Sequence, residues 1–230
     1  MDVTGPRVRD TLVLALALAA ACVDAISFMG LDEVLTANMT GNTVLLGLAL
    51  ARLDLAAAGR SGVALAAFAC GAGAVALLPR RTPEQRLWPA PVTAALAMEL
   101  VLLAALGSVW VGVGVGAYPW LRYVLTALAA FAMGAQSAAV TRLRVHGVAT
   151  TYVTGTVTSL ATDVVTWRRA SGRRLRLGVL VVYVGGAVIG GAAYLGWGTT
   201  ATLIPAGLLA AVTLTAAALH VHMFRKSRRR

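Results

Sequence analysis

The chain has 230 residues, of which 59% are hydrophobic and only 13% charged, and its mean hydropathy is +0.79; a soluble domain carries about 25% charged residues, so an ordinary soluble enzyme is excluded. At about 20 apolar residues per crossing, the hydrophobic length supplies about six membrane spans and leaves no room for a separate water-soluble catalytic domain, so residues 1–230 are expected to form a single membrane domain. The net charge of +11 does not point to nucleic acid, because the arginines lie between apolar runs instead of forming one basic patch.

In chain order, the first apolar run covers about 11–30. Arg7 and Arg9 precede it in the manner of a secretory signal, yet cleavage near Ala21 would begin the mature chain inside a polytopic protein, so an uncleaved first helix is expected. It contains Cys22 and Asp24. Next comes the polar stretch Thr36-Ala37-Asn38-Met39-Thr40-Gly41-Asn42, followed by an apolar segment over 43–52. At 1.5 Å per residue that segment spans about 15 Å, half a hydrocarbon core, and reads as a half-helix. Full-length runs follow at 61–79, with Cys70 and Gly71, at 91–116, with Glu99, and at 119–140. A second polar stretch, Thr150-Thr151-Tyr152-Val153-Thr154-Gly155-Thr156, then leads into a second short segment at 157–167, and two more spans occupy 177–196 and 201–222.

Lys and Arg in short loops stay on the cytoplasmic side. With the N-terminus inside, 17 of the 20 basic residues fall on cytoplasmic segments and Arg52, Arg60 and Arg122 outside, which places both termini in the cytoplasm. Aligning Met39-Thr40-Gly41-Asn42-Thr43 with Val153-Thr154-Gly155-Thr156-Val157 sets an offset of 114 residues, which also brings Arg60 onto Arg174 and Gly71 onto Gly185. Two repeats are expected, about 11–116 and 119–222. Each holds a full span, a half-helix and two more spans. An odd number of complete crossings per repeat turns the second copy upside down, an architecture common among secondary transporters. The expected fold is therefore an all-α polytopic membrane protein with six transmembrane helices and two half-helices in an inverted repeat.

Val23-Asp24-Ala25, the stretch Ala37-Asn38-Met39-Thr40-Gly41-Asn42-Thr43 with its Leu/Gly-rich continuation, and Thr150-Thr151-Tyr152-Val153-Thr154-Gly155-Thr156 resemble the YoaK-like bacterial membrane proteins, the family called domain of unknown function 1275. The resemblance covers nearly the whole chain; the second copy departs from it at Ser137, where an Asn is expected. It implies a multi-pass protein of the bacterial cytoplasmic (inner) membrane and no particular substrate.

A helix broken inside a membrane needs its freed backbone groups satisfied, and each half-helix N-terminus presents N–H groups with a positive dipole end. Asn38, Thr40, Gly41, Asn42, Thr154, Gly155 and Thr156 are therefore the candidate substrate-binding residues, for a small polar or anionic solute. The alternative is that these residues only let helices pack and break. Acids inside a span suggest a proton or ion pathway: Asp24 and Glu99 are the candidate coupling residues, each with a plain interhelical hydrogen bond as its alternative, while Asp163 reads as a local ion pair with Arg168. Cys22 and Cys70 form no disulfide framework, His220 and His222 no metal site, and no metal or other cofactor is expected. The leading function is a small secondary transporter or channel-like permease, coupled to protons through those acids. The rivals are a non-transporting assembly module, which a homodimer would complete, and an intramembrane enzyme. No HExxH, paired catalytic His or phosphate loop supports the enzyme, so no catalytic residue is named. The partners expected are the lipid bilayer and a small-molecule solute, not nucleic acid.

Overall fold

The computed structural model describes residues 5–78, 88–114, 118–143, 153–165 and 173–227, with the side chains of 6, 153, 163, 164 and 220–227 excepted. All regular structure in these residues is helical: α1 (Pro6–Gly30), α2 (Met39–Ala51), α3 (Leu55–Ala76), α4 (Ala90–Val113), α5 (Pro119–Thr141), α6 (Val153–Val165), α7 (Arg173–Trp197), a 3-10 turn (Gly198–Thr202) and α8 (Leu203–Ser227). Among the described residues, five stretches are long and apolar enough to cross a membrane. The fifth, Arg173–Leu219, runs for 47 residues through both α7 and α8, which Gly198 separates by taking φ +59°, a backbone conformation that glycine adopts without steric cost. The first part of the second polar stretch, Thr150 to Tyr152, lies outside the described residues. So do the Asp163 side chain with Arg168, the two histidine side chains and the terminal basic run.

Local signals explain where the helices begin. Pro6 and Pro119 stand at the first helical position and Pro91 one residue further in, where a missing N–H costs nothing. α3 starts at Leu55, six residues before the run expected from hydropathy, because the Asp54 carboxyl caps it, accepting the Ala57 N–H at 2.9 Å. α2 likewise starts at Met39: Asn38 is its cap, accepting the Gly41 N–H at 3.2 Å. The Met39–Asn42 stretch, expected to precede the short helix, is thus its first turn.

Pairwise contacts set the helix directions. Leu14 lies against Gly178, Leu18 against Gly186 and Cys22 against Gly190, so α1 and α7 run parallel. Gly30 meets Trp110, and Trp110 meets the Tyr194 ring at 6.3 Å between centroids, which brings the ends of α1, α4 and α7 to one face, here the upper face. Its opposite is the lower face. α3 and α5 also run parallel: Tyr123 donates to the Ala56 carbonyl near their upper starts, and Arg142 donates to the Val75 and Leu78 carbonyls near their lower ends. That guanidinium completes carbonyls that the last turn of α3 cannot bond itself. α1 and α5 are the most enclosed helices, with 67% and 61% of their apolar windows buried against 22–39% in the other three stretches, and the Gln136 amide ties them by donating to the Leu16 carbonyl at 3.2 Å.

Lipid tails are as apolar as leucine, so close backbone packing must do what water exclusion does in soluble proteins. Glycine allows it at both parallel pairs. A Cβ at Gly71 would strike the Phe131 carbonyl and one at Gly134 the Phe68 carbonyl, joining α3 to α5; a Cβ at Gly186 or Gly190 would come within 2.5 or 2.7 Å of the Leu18 or Cys22 oxygen, joining α7 to α1. Gly185, which sequence alignment set opposite Gly71, has open space where its Cβ would be. The close approach is made one residue later, because the helix face that meets α1 carries Gly186.

Candidate functional site

Between α1 and α2 the chain turns back on itself. Asp32 and Glu33, at φ 58° and 62°, reverse it just beyond α1, and residues 34–38 descend along α1 to the level of Asp24. One Asp24 carboxylate oxygen accepts the Thr36 and Ala37 N–H groups at 2.7 and 2.6 Å, with the Asn38 amide also turned toward the carboxyl. The other oxygen accepts the Tyr183 hydroxyl of α7 at 2.8 Å. Successive backbone amides around an anion form a nest. Asp24 thus occupies the amides of the stretch that leads into the short helix, while the first turn of that helix is capped by Asn38.

The remaining polar groups of this stretch are used in the same way. The Asn42 side chain, fully buried, accepts the Leu35 N–H at 3.1 Å and donates to the Leu35 carbonyl, satisfying both backbone groups of a residue that has no helix or strand to pair with. Gly41 makes room for the Leu35 side chain, which a Cβ would meet at 2.5 Å. Thr40, by contrast, is exposed. From this first turn α2 rises to Ala51 and, through Leu53 at φ 58°, joins α3. At the upper face Asp32 pairs with Arg122 and, at 3.7 Å, with Arg60, two of the three arginines that sequence placed outside.

In the second short helix Thr154 is exposed, Gly155 half-buried and Thr156 buried. The Thr154 carbonyl accepts the Thr158 hydroxyl at 3.1 Å. The two short helices stand on separate supports, α2 on α3 and α6 on α7.

Glu99 is the opposite of Asp24. It sits on the inward stripe of α4 with Leu96, Leu103, Leu106 and Trp110, is 0% exposed, and neither carboxyl oxygen has a hydrogen-bond partner. One turn toward the upper face, a cavity of about 10 Å³, room for about one water, is lined by Val23, Ile26, Ser27, Leu103, Leu106, Trp110, Thr202 and Pro205. The Trp110 indole nitrogen, the Thr126 hydroxyl and the Gln136 carbonyl oxygen are likewise buried without partners. Among the described residues no cluster of three His, Cys, Asp or Glu could hold a metal ion.

Sequence reasoning missed Tyr183, Leu35 and Asp32 as partners. A lone hydroxyl in the valine-rich run of α7 was the one available signal for Tyr183. Nothing local announces that Leu35 lends its backbone to Asn42.

Comparison with known proteins matches residues 12–215 to the family described as protein of unknown function, DUF1275. The chain is also 38% identical over 164 residues to the UPF0700 transmembrane protein YoaK of Bacillus subtilis (strain 168), covering 70% of this chain and 69% of that protein. No solved structure matches.

Proposed function

The chain belongs to the DUF1275 family of transmembrane proteins, and we propose that it is a small secondary transporter or channel-like permease for a small polar or anionic solute, coupled to protons through Glu99. The observation that carries this reading is Glu99 itself. An acid at mid-span costs about 2.5–3.5 kcal/mol on insertion scales, and a structural acid recovers part of that cost through hydrogen bonds, as Asp24 does. Glu99 makes none.

In this reading α1–α4 and α5–α8 are inverted repeats about an axis in the membrane plane, giving six crossings and two re-entrant half-helices. The parallel pairing of α1 with α7 and of α3 with α5, each the first helix of one repeat on the second long helix of the other, supports the arrangement. The arginine distribution supports a cytoplasmic lower face with both termini and an upper face outside the inner membrane of a bacterium. Asn38, Gly41 and Asn42 shape the first half-site, so the exposed Thr40 and Thr154 are the groups that first meet a solute, with Gly155 and the buried Thr156 behind Thr154, while Asp24 holds the re-entrant loop. The protein performs no covalent chemistry.

One observation favours the rival reading of an assembly module that works as a homodimer: the amides of the Asn38–Asn42 stretch are spent on the protein's own loop. Thermal unfolding of the purified protein against a panel of small anions, amino acids and sugars separates the two. A saturable rise in Tm for one chemical class supports transport, since a ligand at about 100 times its Kd adds about 2.7 kcal/mol. A flat response across the panel, with a stable dimer by mass measurement, would replace transport by assembly.

A further inference from the structure

The upper face holds a charge cluster that the proposed function leaves unused. Asp32, on the turn that opens the re-entrant stretch, meets two arginines through one oxygen, Oδ2. That oxygen accepts a hydrogen bond from Arg122 Nη1 of α5 and stands 3.7 Å from Arg60 Nη1 of α3. One negative charge thus faces two positive ones. The neighbouring acids do not make up the difference: Asp54 accepts the Ala57 N–H, Glu33 is exposed, and among the described residues neither forms an ion pair.

Arg60 is the less satisfied of the two arginines. It lies four residues before Ala64 and shares its helix face, the face that packs on Val34 of the re-entrant stretch and Ala130 of α5. Its side chain is only 17% exposed, yet it makes no hydrogen bond: the 3.7 Å to Asp32 is too long for one, and Nε is buried without a partner. A guanidinium carries five N–H donors, and taking them out of water unpaired costs free energy. Arg142, at the lower end of α5, shows the ordinary remedy, donating to carbonyls of α3. The cluster is open at its rim, where the Arg122 and Asp32 side chains are 38% and 35% exposed. Just before Arg122, Tyr118 and Trp120 are exposed and stacked with ring centroids 5.7 Å apart. Aromatic residues of this kind mark the headgroup level of a bilayer.

We infer that Arg60 and Arg122 form a binding site for an oxyanion, a phosphate or carboxylate group, at the upper face, with Asp32 as its built-in competitor. The planar guanidinium fork matches both groups, and because both arginines approach the same Asp32 oxygen, one oxyanion in its place bridges them. The group arrives on a phospholipid of the upper leaflet or on a free solute, with the same chemistry. The site does not involve Glu99 and does not rest on the proposed transport. Thermal unfolding of the full-length chain, purified in a neutral detergent and held at constant ionic strength, tests it in two arms. One arm adds inorganic phosphate, the other phosphatidylglycerol. A saturable rise in Tm with phosphate assigns the site to free anions, and a rise with phosphatidylglycerol alone assigns it to lipid. In whichever arm responds, Arg60→Gln should raise the concentration for half the effect at least about tenfold, through the loss of a charge-assisted contact. Arg52→Gln, at an exposed arginine outside the cluster, should leave it unchanged. Asp32→Asn removes the competing charge, keeps a residue type that accepts positive φ, and should lower that concentration about fivefold. If Arg60→Gln does not fold, Arg60→Lys keeps the charge without the fork and should weaken binding in the same direction. A cluster that only latches the loop to α3 and α5 would lose Tm in Arg60→Gln and Asp32→Asn with the half-effect concentration unmoved in both. That result, or a flat response of the wild-type chain in both arms, would overturn the site.

Discussion

Asp24 and Glu99 are both buried acids in apolar helices, yet their surroundings are opposite. Asp24 accepts two backbone amides and a tyrosine hydroxyl, and through them it joins α1, the re-entrant stretch and α7. Glu99 is fully buried and neither of its carboxyl oxygens has a hydrogen-bond partner. Since a buried polar group without partners is a cost that folding alone would remove, the pair teaches that the acid which does most for the structure is the less suited to carry a moving proton.

That contrast orders the expected effects of substitution. Asp24→Ala leaves two amides and the Tyr183 hydroxyl unpaired in the interior, and should cost about 3–5 kcal/mol, read as the largest fall in Tm of the purified protein. Asn42→Leu strands both backbone groups of Leu35 and should cost about 2–3 kcal/mol, with faster hydrogen exchange confined to residues 31–42. Tyr183→Phe deletes one hydrogen bond to the Asp24 carboxyl, about 1 kcal/mol, and should loosen the same segment less. Glu99→Gln should change stability by less than about 1 kcal/mol, because no bond is lost, and Glu99→Leu should be neutral or stabilising. A stability loss for Glu99→Leu as large as that of Asp24→Ala would erase the distinction between the two acids.

Much of this was legible in the sequence because long apolar runs carry their own signal. The full-length runs coincide with long helices, and the inward facing of Glu99 was legible because an acid inside a span turns to the protein interior. The beginnings of α2 and α3 were misjudged because hydropathy is blind to caps: Asn38 and Asp54 start those helices upstream of the apolar residues. The fate of Asp24 was not legible, since its partners at Thr36, Ala37 and Tyr183 become neighbours only when the loop folds back and α7 packs on α1. The same limit explains the candidate substrate residues on α2. Asn, Thr and Gly beside a half-helix suit a solute or the loop itself, and only the position of Leu35 shows that Asn38, Gly41 and Asn42 serve the loop. For the glycines, spacing set Gly185 opposite Gly71, whereas rotation about the helix axis selected Gly186.

The most direct test of coupling through Glu99 is the internal pH of vesicles containing the purified protein and a trapped pH-sensitive dye, followed as the solute identified by thermal shift is added outside. A solute-dependent change of internal pH is expected for the wild-type chain and should be absent from Glu99→Gln at equal protein content and equal Tm. Equal pH changes with both would contradict the claim that Glu99 carries the proton.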